Sequence, residues 1–178
     1  ILAAALVIAN HTPDAMVLVA PSDHVIPDAE QFRAAVQAAT PAARAGEFVT
    51  FGIRPDRPET GYGWLELSTT PDASFAPITQ PLVRFVEKPD LATAQIMLDG
   101  GLHLWNAGIF LFEARTLIAA FEAHQPDILA QVRSSVAQAA VDLGFTRLAP
   151  APWSEIKDIS IDYAIMEKAE NLSVLPYG

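Results

Sequence analysis

The 178-residue sequence predicts an α/β fold in a single domain, residues 1–178, and three observations carry that reading. Met16-Val-Leu-Val-Ala20 is an apolar run that stops at Pro21 and the polar Ser22, Asp23 and His24, as a strand buried on both faces of a parallel sheet would. A helix-spaced segment and a second apolar run, Phe48-Val-Thr-Phe-Gly-Ile53, follow it, so strand, helix and strand form a right-handed crossover unit. The third observation is bulk composition. A hydrophobic fraction of 51% with 18% charged residues supplies a substantial core, and the length is too short for two ordinary domains.

The charge balance narrows the partners. With 21 acidic and 11 basic residues the net charge is -10, so the average surface repels a nucleic-acid backbone, whereas a metal ion or a metal-bound phosphate suits it. The absence of cysteine excludes thiolate catalysis, disulfides and cysteine-ligated metals, and fits a cytoplasmic protein.

Taken in order, Ile1 to Ala9 is apolar enough for a signal-peptide core but has no basic flank, and it is too short to span a bilayer, so no membrane partner is expected. It reads as the last turns of a buried helix, and the chain as an excised piece of a longer fold. Asp28 caps a helix whose Phe32, Val36 and Ala39 share a face, with Pro41 threatening a kink and Gly46 closing it. Arg54 to Gly61 is a loop rich in proline and charge. Strands are expected at Tyr62 to Leu67 and Leu82 to Glu87, separated by a surface excursion from Ser68 to Pro81. Asp90 begins a helix that Gly100-Gly101 stops, and Trp105 to Phe112 is a strand. Two helices fill Ala114 to Ala140, divided at His124-Gln-Pro126, with Leu117, Ile118 and Phe121 on one face and Ile128, Leu129 and Val132 on the next. Ser160 N-caps a helix from Ile161 to Ala169, and Leu172 to Leu175 begins a last strand that runs into the chain end. The two apolar ends give an expectation of self-association, as a homo-oligomer.

Each polar candidate has a functional reading and a structural one. Ligands in open α/β sheets gather at the carboxyl ends of strands, so Asp23 is placed to bind a hard cation; the alternative is a loop carboxylate bonded to nearby backbone, and a structural role suits His24 better. Thr60-Gly-Tyr-Gly63 lets backbone approach a ligand at Gly61, Tyr62 and Gly63, or is a strand-entry turn. Arg54 and Arg57 suit a phosphate, or are solvated loop residues. Glu87 and Lys88 suit a sugar hydroxyl and its phosphate, or form a surface ion pair. Because adjacent strand residues face opposite sides, both serve one ligand only if Pro89 ends the pleat there. Asn106 and Gly108 set an amide and a bare backbone within an apolar strand, for a ligand or for a core hydrogen bond.

Ser22-Asp-His24, Thr60-Gly-Tyr-Gly63, Phe85-Val-Glu-Lys-Pro89, Trp105-Asn-Ala-Gly-Ile-Phe110 and Ser160-Ile-Asp-Tyr-Ala-Ile-Met-Glu167, in that order, resemble the bacterial mannose-1-phosphate guanylyltransferase family. The resemblance spans nearly the whole chain. It implies a Rossmann-like nucleotidyltransferase core, with a mixed sheet flanked by helices, that joins GTP to mannose 1-phosphate with magnesium to give GDP-mannose, a polysaccharide precursor, and pyrophosphate. Many members carry a C-terminal phosphomannose isomerase domain, which has no counterpart in this sequence.

Residue by residue, the resemblance makes Asp23 a magnesium ligand, has Gly63, Glu87 and Asn106 hold the mannose, with Gly61, Tyr62 and Gly108 lining its site, and has Lys88 neutralise the sugar phosphate. Trp64 stands where the family often has tyrosine, and Asp162 is read as a capping residue that supports the site. The resemblance places the family's Gly-rich nucleotide loop before Ile1 and a second metal carboxylate after Gly178, so residues 1–178 alone are expected to turn over negligibly. Base choice rests largely on that loop. Two alternatives therefore stand: a thymidylyl- or uridylyltransferase of the same class, or a noncatalytic sugar-phosphate-binding or assembly domain.

Overall fold

The structure, a computed structural model, describes residues 1–71 and 78–177; the centre of the excursion expected between Ser68 and Pro81 lies outside the described residues. The chain forms two compact units, Met16–Phe112 with Ala169–Gly178, and Ile1–Ala15 with Glu113–Lys168. Among the described residues no helix is long and apolar enough to cross a membrane.

The first unit is built on a six-stranded mixed sheet of β1 (Met16–Val19), β2 (Phe48–Ile53), β3 (Gly63–Leu67), β4 (Gln80–Glu87), β5 (His103–Glu113) and β8 (Leu172–Pro176), in the order β1-β5-β2-β8-β4-β3. The β2–β8 pair is parallel, and β2–β5, β3–β4, β3–β5 and β4–β8 are antiparallel. Because β5 pairs with β3 through His103 to Trp105 and with β2 beyond, five strands close into a ring and β1 is appended outside it. β2 carries five consecutive buried residues, the pattern of a strand covered on both faces.

β1 departs from expectation. It is an edge strand, only half-buried, with Leu18 42% exposed. An apolar run records a strand's preference for burial but not how many neighbours it receives. For the same reason the strand–helix–strand unit does not join neighbours, since β5 lies between β1 and β2.

Helix α2 (Ala29–Arg44) lays Ala35, Ala39 and Ala43 on Val49, Phe51, Ile109, Leu111 and Leu175. Its N-terminus is set by Asp28, whose carboxylate accepts from the Glu30 and Gln31 amides at 3.0 and 2.9 Å. The helix runs on through Pro41 and ends where Gly46, at φ +93, donates to the Ala43 carbonyl and Glu47 to the Ala42 carbonyl, a Schellman closure. Asp28→Ala removes an acceptor for two otherwise unpaired amides, and the expected loss is about 1 kcal/mol, read from the urea midpoint. Helix α3 (Leu91–Gly100) is capped by Asp90 and stopped by Gly101 at φ +65; its Ala94 and Met97 pack on Trp64 and Trp105.

The second unit packs α1 (Leu2–Ala9), α4 (Ala114–His124) and α5 (Pro126–Ala137), divided at Gln125 as expected. Three features differ. A hairpin of β6 (Ala140–Asp142) and β7 (Phe145–Arg147) turns on Leu143 and Gly144 at φ 50 and 83, and a short α6 (Pro150–Ser154) follows. The helix expected from Ile161 to Ala169 is a single π-helical turn, Asp162–Met166, in which Glu167 donates to the Asp162 carbonyl. The wider turn carries three consecutive residues, Ala164, Ile165 and Met166, into the core, which an ordinary amphipathic helix cannot do.

Candidate functional site

Gly63, at the start of β3, pairs across the ladder with Glu87, at the end of β4. A Cβ on Gly63 would lie 2.8 Å from Glu87 Oε2, 3.0 Å from Phe85 Cζ and 3.3 Å from Asn106 Cβ. Three segments distant in sequence thus converge on one glycine, and the space its missing side chain leaves is bordered by a carboxylate and an asparagine.

Lys88 meets the condition set by the pleat. Its φ of +47 is a left-handed backbone rare for a non-glycine residue, and it ends the strand one residue before Pro89. Its amide donates to the Tyr62 carbonyl at 3.3 Å, tying the strand end to the Thr60–Gly63 turn. Turned out of the pleat in this way, the Lys88 ammonium reaches the Glu87 carboxylate as an ion pair instead of facing the opposite side. The Glu87 side chain is only 6% exposed and that of Lys88 52%, so the pair joins a sheltered acceptor to an accessible cation.

Asn106 is held from below. The Thr50 hydroxyl donates to Asn106 Oδ1 at 2.7 Å, and the Gly108 amide donates to the same oxygen at 3.1 Å. Gly108, at φ +69, sits in a bulge: between paired positions β2 advances from Thr50 to Gly52 while β5 covers Phe110 to Asn106. A Cβ on Gly108 would lie 3.5 Å from Pro21 Cγ, so the strand end that carries Ser22, Asp23 and His24 reaches the cluster through Pro21. Asp23 and His24 are exposed in the turn that follows.

The loop between β2 and β3 is more ordered than its composition suggests. Trp64 Nε1 donates to the Glu59 carbonyl at 2.8 Å, and the Arg57 guanidinium lies 4.8 Å over the Trp105 ring while bonding Glu59 at 3.2 Å. The Gly61 amide donates to the Glu59 carboxylate and, with Arg57, holds that carboxyl below its ordinary range. Tyr62 stands edge-on to Trp105, with ring centroids 5.4 Å apart. Arg57 and Glu59 therefore brace the Gly61–Gly63 turn. The sequence marked Arg57 only as a phosphate candidate and gave no signal for Glu59. Burial pushes His103 below the ordinary imidazole range, and Trp105 Nε1 has no hydrogen-bond partner among the described residues.

Among the described residues no three Asp, Glu or His side chains could together hold a metal ion. Magnesium asks less of a protein: one or two carboxylates, with waters and substrate phosphates completing its shell. An exposed carboxylate at a strand end, as in Asp23, fits that donor set, and the accessible Lys88 cation fits a phosphate. The cluster as a whole offers acceptor, amide and cation around a bare backbone, which is equipment for binding a polyhydroxylated anion; it holds no nucleophile–base pair.

Residues 1–159 match the family described as Nucleotidyl transferase. A mannose-1-phosphate guanylyltransferase of Sinorhizobium fredii is 43% identical over 173 residues, covering 97% of this chain and 33% of that protein. A xanthan biosynthesis protein of Xanthomonas campestris is 42% identical over 173 residues, covering 97% of this chain and 36% of its own length. The chain thus spans about a third of the length of these curated relatives. Among solved structures, a mannose-6-phosphate isomerase from Helicobacter pylori superposes with a TM-score of 0.84 at 27% identity, covering 98% of this chain and 65% of that one.

Proposed function

The chain belongs to the nucleotidyl transferase family, and on that premise we propose that it carries the sugar-phosphate site of a mannose-1-phosphate guanylyltransferase, which joins GTP and mannose 1-phosphate into GDP-mannose and pyrophosphate. The observation that carries this reading is the convergence of Glu87 and Asn106 on the place where Gly63 lacks a Cβ, with the Lys88 ammonium paired to Glu87. The name of the relative at 43% identity, a mannose-1-phosphate guanylyltransferase, supports the choice of sugar and of nucleotide.

In this mechanism the residues position and neutralise. The mannose ring lies against Gly63, Glu87 accepts from its hydroxyls, and the Asn106 amide bonds another. Lys88 offsets the charge of the phosphate, lowering the repulsion that the triphosphate would otherwise meet. A sugar-phosphate oxygen then attacks the α-phosphorus of GTP in line, the new P–O bond forms as the bond to pyrophosphate breaks, and no protein nucleophile is needed. Magnesium, which Asp23 would hold, supplies charge neutralisation to the phosphates. A cytoplasmic location is part of the proposal and rests on the charged, water-soluble substrates.

Isothermal titration of the chain with mannose 1-phosphate and with mannose tests the assignment. Wild type is expected to bind the phosphorylated sugar more tightly. Lys88→Met should raise its Kd roughly tenfold to a hundredfold, the worth of a charge-assisted contact, and change the affinity for mannose by less. Equal wild-type affinities for the two ligands would overturn the reading.

A further inference from the structure

We propose that Thr50 is a positioning residue for the sugar site, acting through Asn106 by holding in place the amide whose flip Gly108 sets. β2 presents Phe48, Val49, Thr50 and Phe51 fully buried, and Thr50 is the one hydroxyl among them, at 0% exposure. Such a hydroxyl is costly unless paired. Its proton lies between Asn106 Oδ1 at 2.7 Å and the Ile109 carbonyl at 3.1 Å, and the shorter contact is the stronger.

The amide's direction follows from donor and acceptor chemistry. The Gly108 N–H, 3.1 Å from the Asn106 side chain, can only donate, so the atom facing it is the oxygen; the flipped amide would set two donors against each other. Gly108 therefore chooses the flip, and the Thr50 hydroxyl, on a β-branched side chain with a restricted χ1, pins the same oxygen from the sheet. With Oδ1 occupied by two donors, the NH2 end is the one presented away from Thr50. The bulge at Gly108 is what brings the two donors to one oxygen, since it inserts extra length into β5 between Phe110 and Asn106. Asn106 Cβ in turn stands 3.3 Å from where a Cβ on Gly63 would be, which carries the effect of Thr50 to the centre of the cluster.

This inference rests on the sugar-phosphate reading, so its test has a readout that does not depend on ligand. In a 15N–1H correlation spectrum of the chain, the Asn106 side-chain NH2 pair is identified by its loss in Asn106→Asp. Thr50→Val, which keeps the shape and removes the hydroxyl, should shift that pair, and Thr50→Ser should restore it. In titrations, Thr50→Val should raise the Kd for mannose 1-phosphate about tenfold and Thr50→Ser should bind within about threefold of wild type. An unshifted NH2 pair in a folded Thr50→Val protein overturns the positioning role, as does unchanged affinity. A shifted pair in a chain whose wild type binds no mannose 1-phosphate keeps the positioning role and overturns the site assignment instead. If Thr50→Val fails to fold, Thr50→Ala is read the same way.

Discussion

Gly63→Ala is expected to raise the Kd for mannose 1-phosphate roughly 30- to 150-fold while the protein stays folded. The new methyl would stand 2.8 Å from Glu87 Oε2, closer than real Cβ contacts come, and 3.0 and 3.3 Å from Phe85 Cζ and Asn106 Cβ. Phe85 is buried at 5% exposure and Asn106 is held by Thr50 and Gly108, so the carboxylate is the group that moves. Its side chain is 6% exposed and paired with Lys88, so the movement disturbs that pair as well. The loss of two sugar hydrogen bonds at about 1–1.5 kcal/mol each gives the stated range. Titration calorimetry reads the affinity and urea unfolding confirms the fold; wild-type affinity in a folded Gly63→Ala protein would refute the convergence of the three segments on this glycine.

The largest expected effect on stability is at Gly52. A Cβ there would lie 2.6 Å from Leu104 Cδ1, 2.7 Å from Val174 Cγ2 and 3.0 Å from Leu104 Cβ. Leu104 and Val174 are 1% and 0% exposed, on the two strands that flank β2, and have no solvent to retreat into. Overpacking of this kind costs about 1–3 kcal/mol. Gly52→Ala should therefore lower the urea midpoint with the m-value unchanged. In combination with Val174→Ala, which removes one of the colliding atoms, the two effects should fall short of additivity by at least about 0.5 kcal/mol. A Gly52→Ala protein as stable as wild type would mean that the sheet is looser at this point than the structure shows.

Much of the site was legible because its residues announce themselves locally. Glu87-Lys88-Pro89 sits at a strand end, Gly63 follows a Thr-Gly-Tyr turn, and Asn106 and Gly108 interrupt an apolar strand. What the sequence could not give was the sense in which Lys88 faces. Strand alternation sends Glu87 and Lys88 to opposite sides, and nothing about a lysine signals the φ of +47 that brings them together. Thr50 and Glu59 were invisible for a related reason: one reads as an ordinary strand residue and the other as a loop carboxylate until their partners are known. Asp23 was placed at the end of a strand, and the structure brings that strand end to Gly108 through Pro21.

The elements divide in the same way. β2 spans Phe48–Ile53 as its apolar run predicts, and Asp28, Asp90, Gly46 and Gly101 bound their helices as capping chemistry requires. Each of these is decided within a few positions along the chain, where the competition between a side chain and its own backbone is already settled. The exposed edge of β1, the π turn at Asp162–Met166, the bulge at Gly108 and the seating of Asn106 over Thr50, 56 residues away, are not. They follow from which strands become neighbours and from how much buried surface each segment must fill. The sequence by itself determined most of the strands, the caps and the residue types of the proposed sugar-phosphate site; the tertiary structure decided their order and their facing, because register and burial are set between segments that chemistry along the chain does not connect.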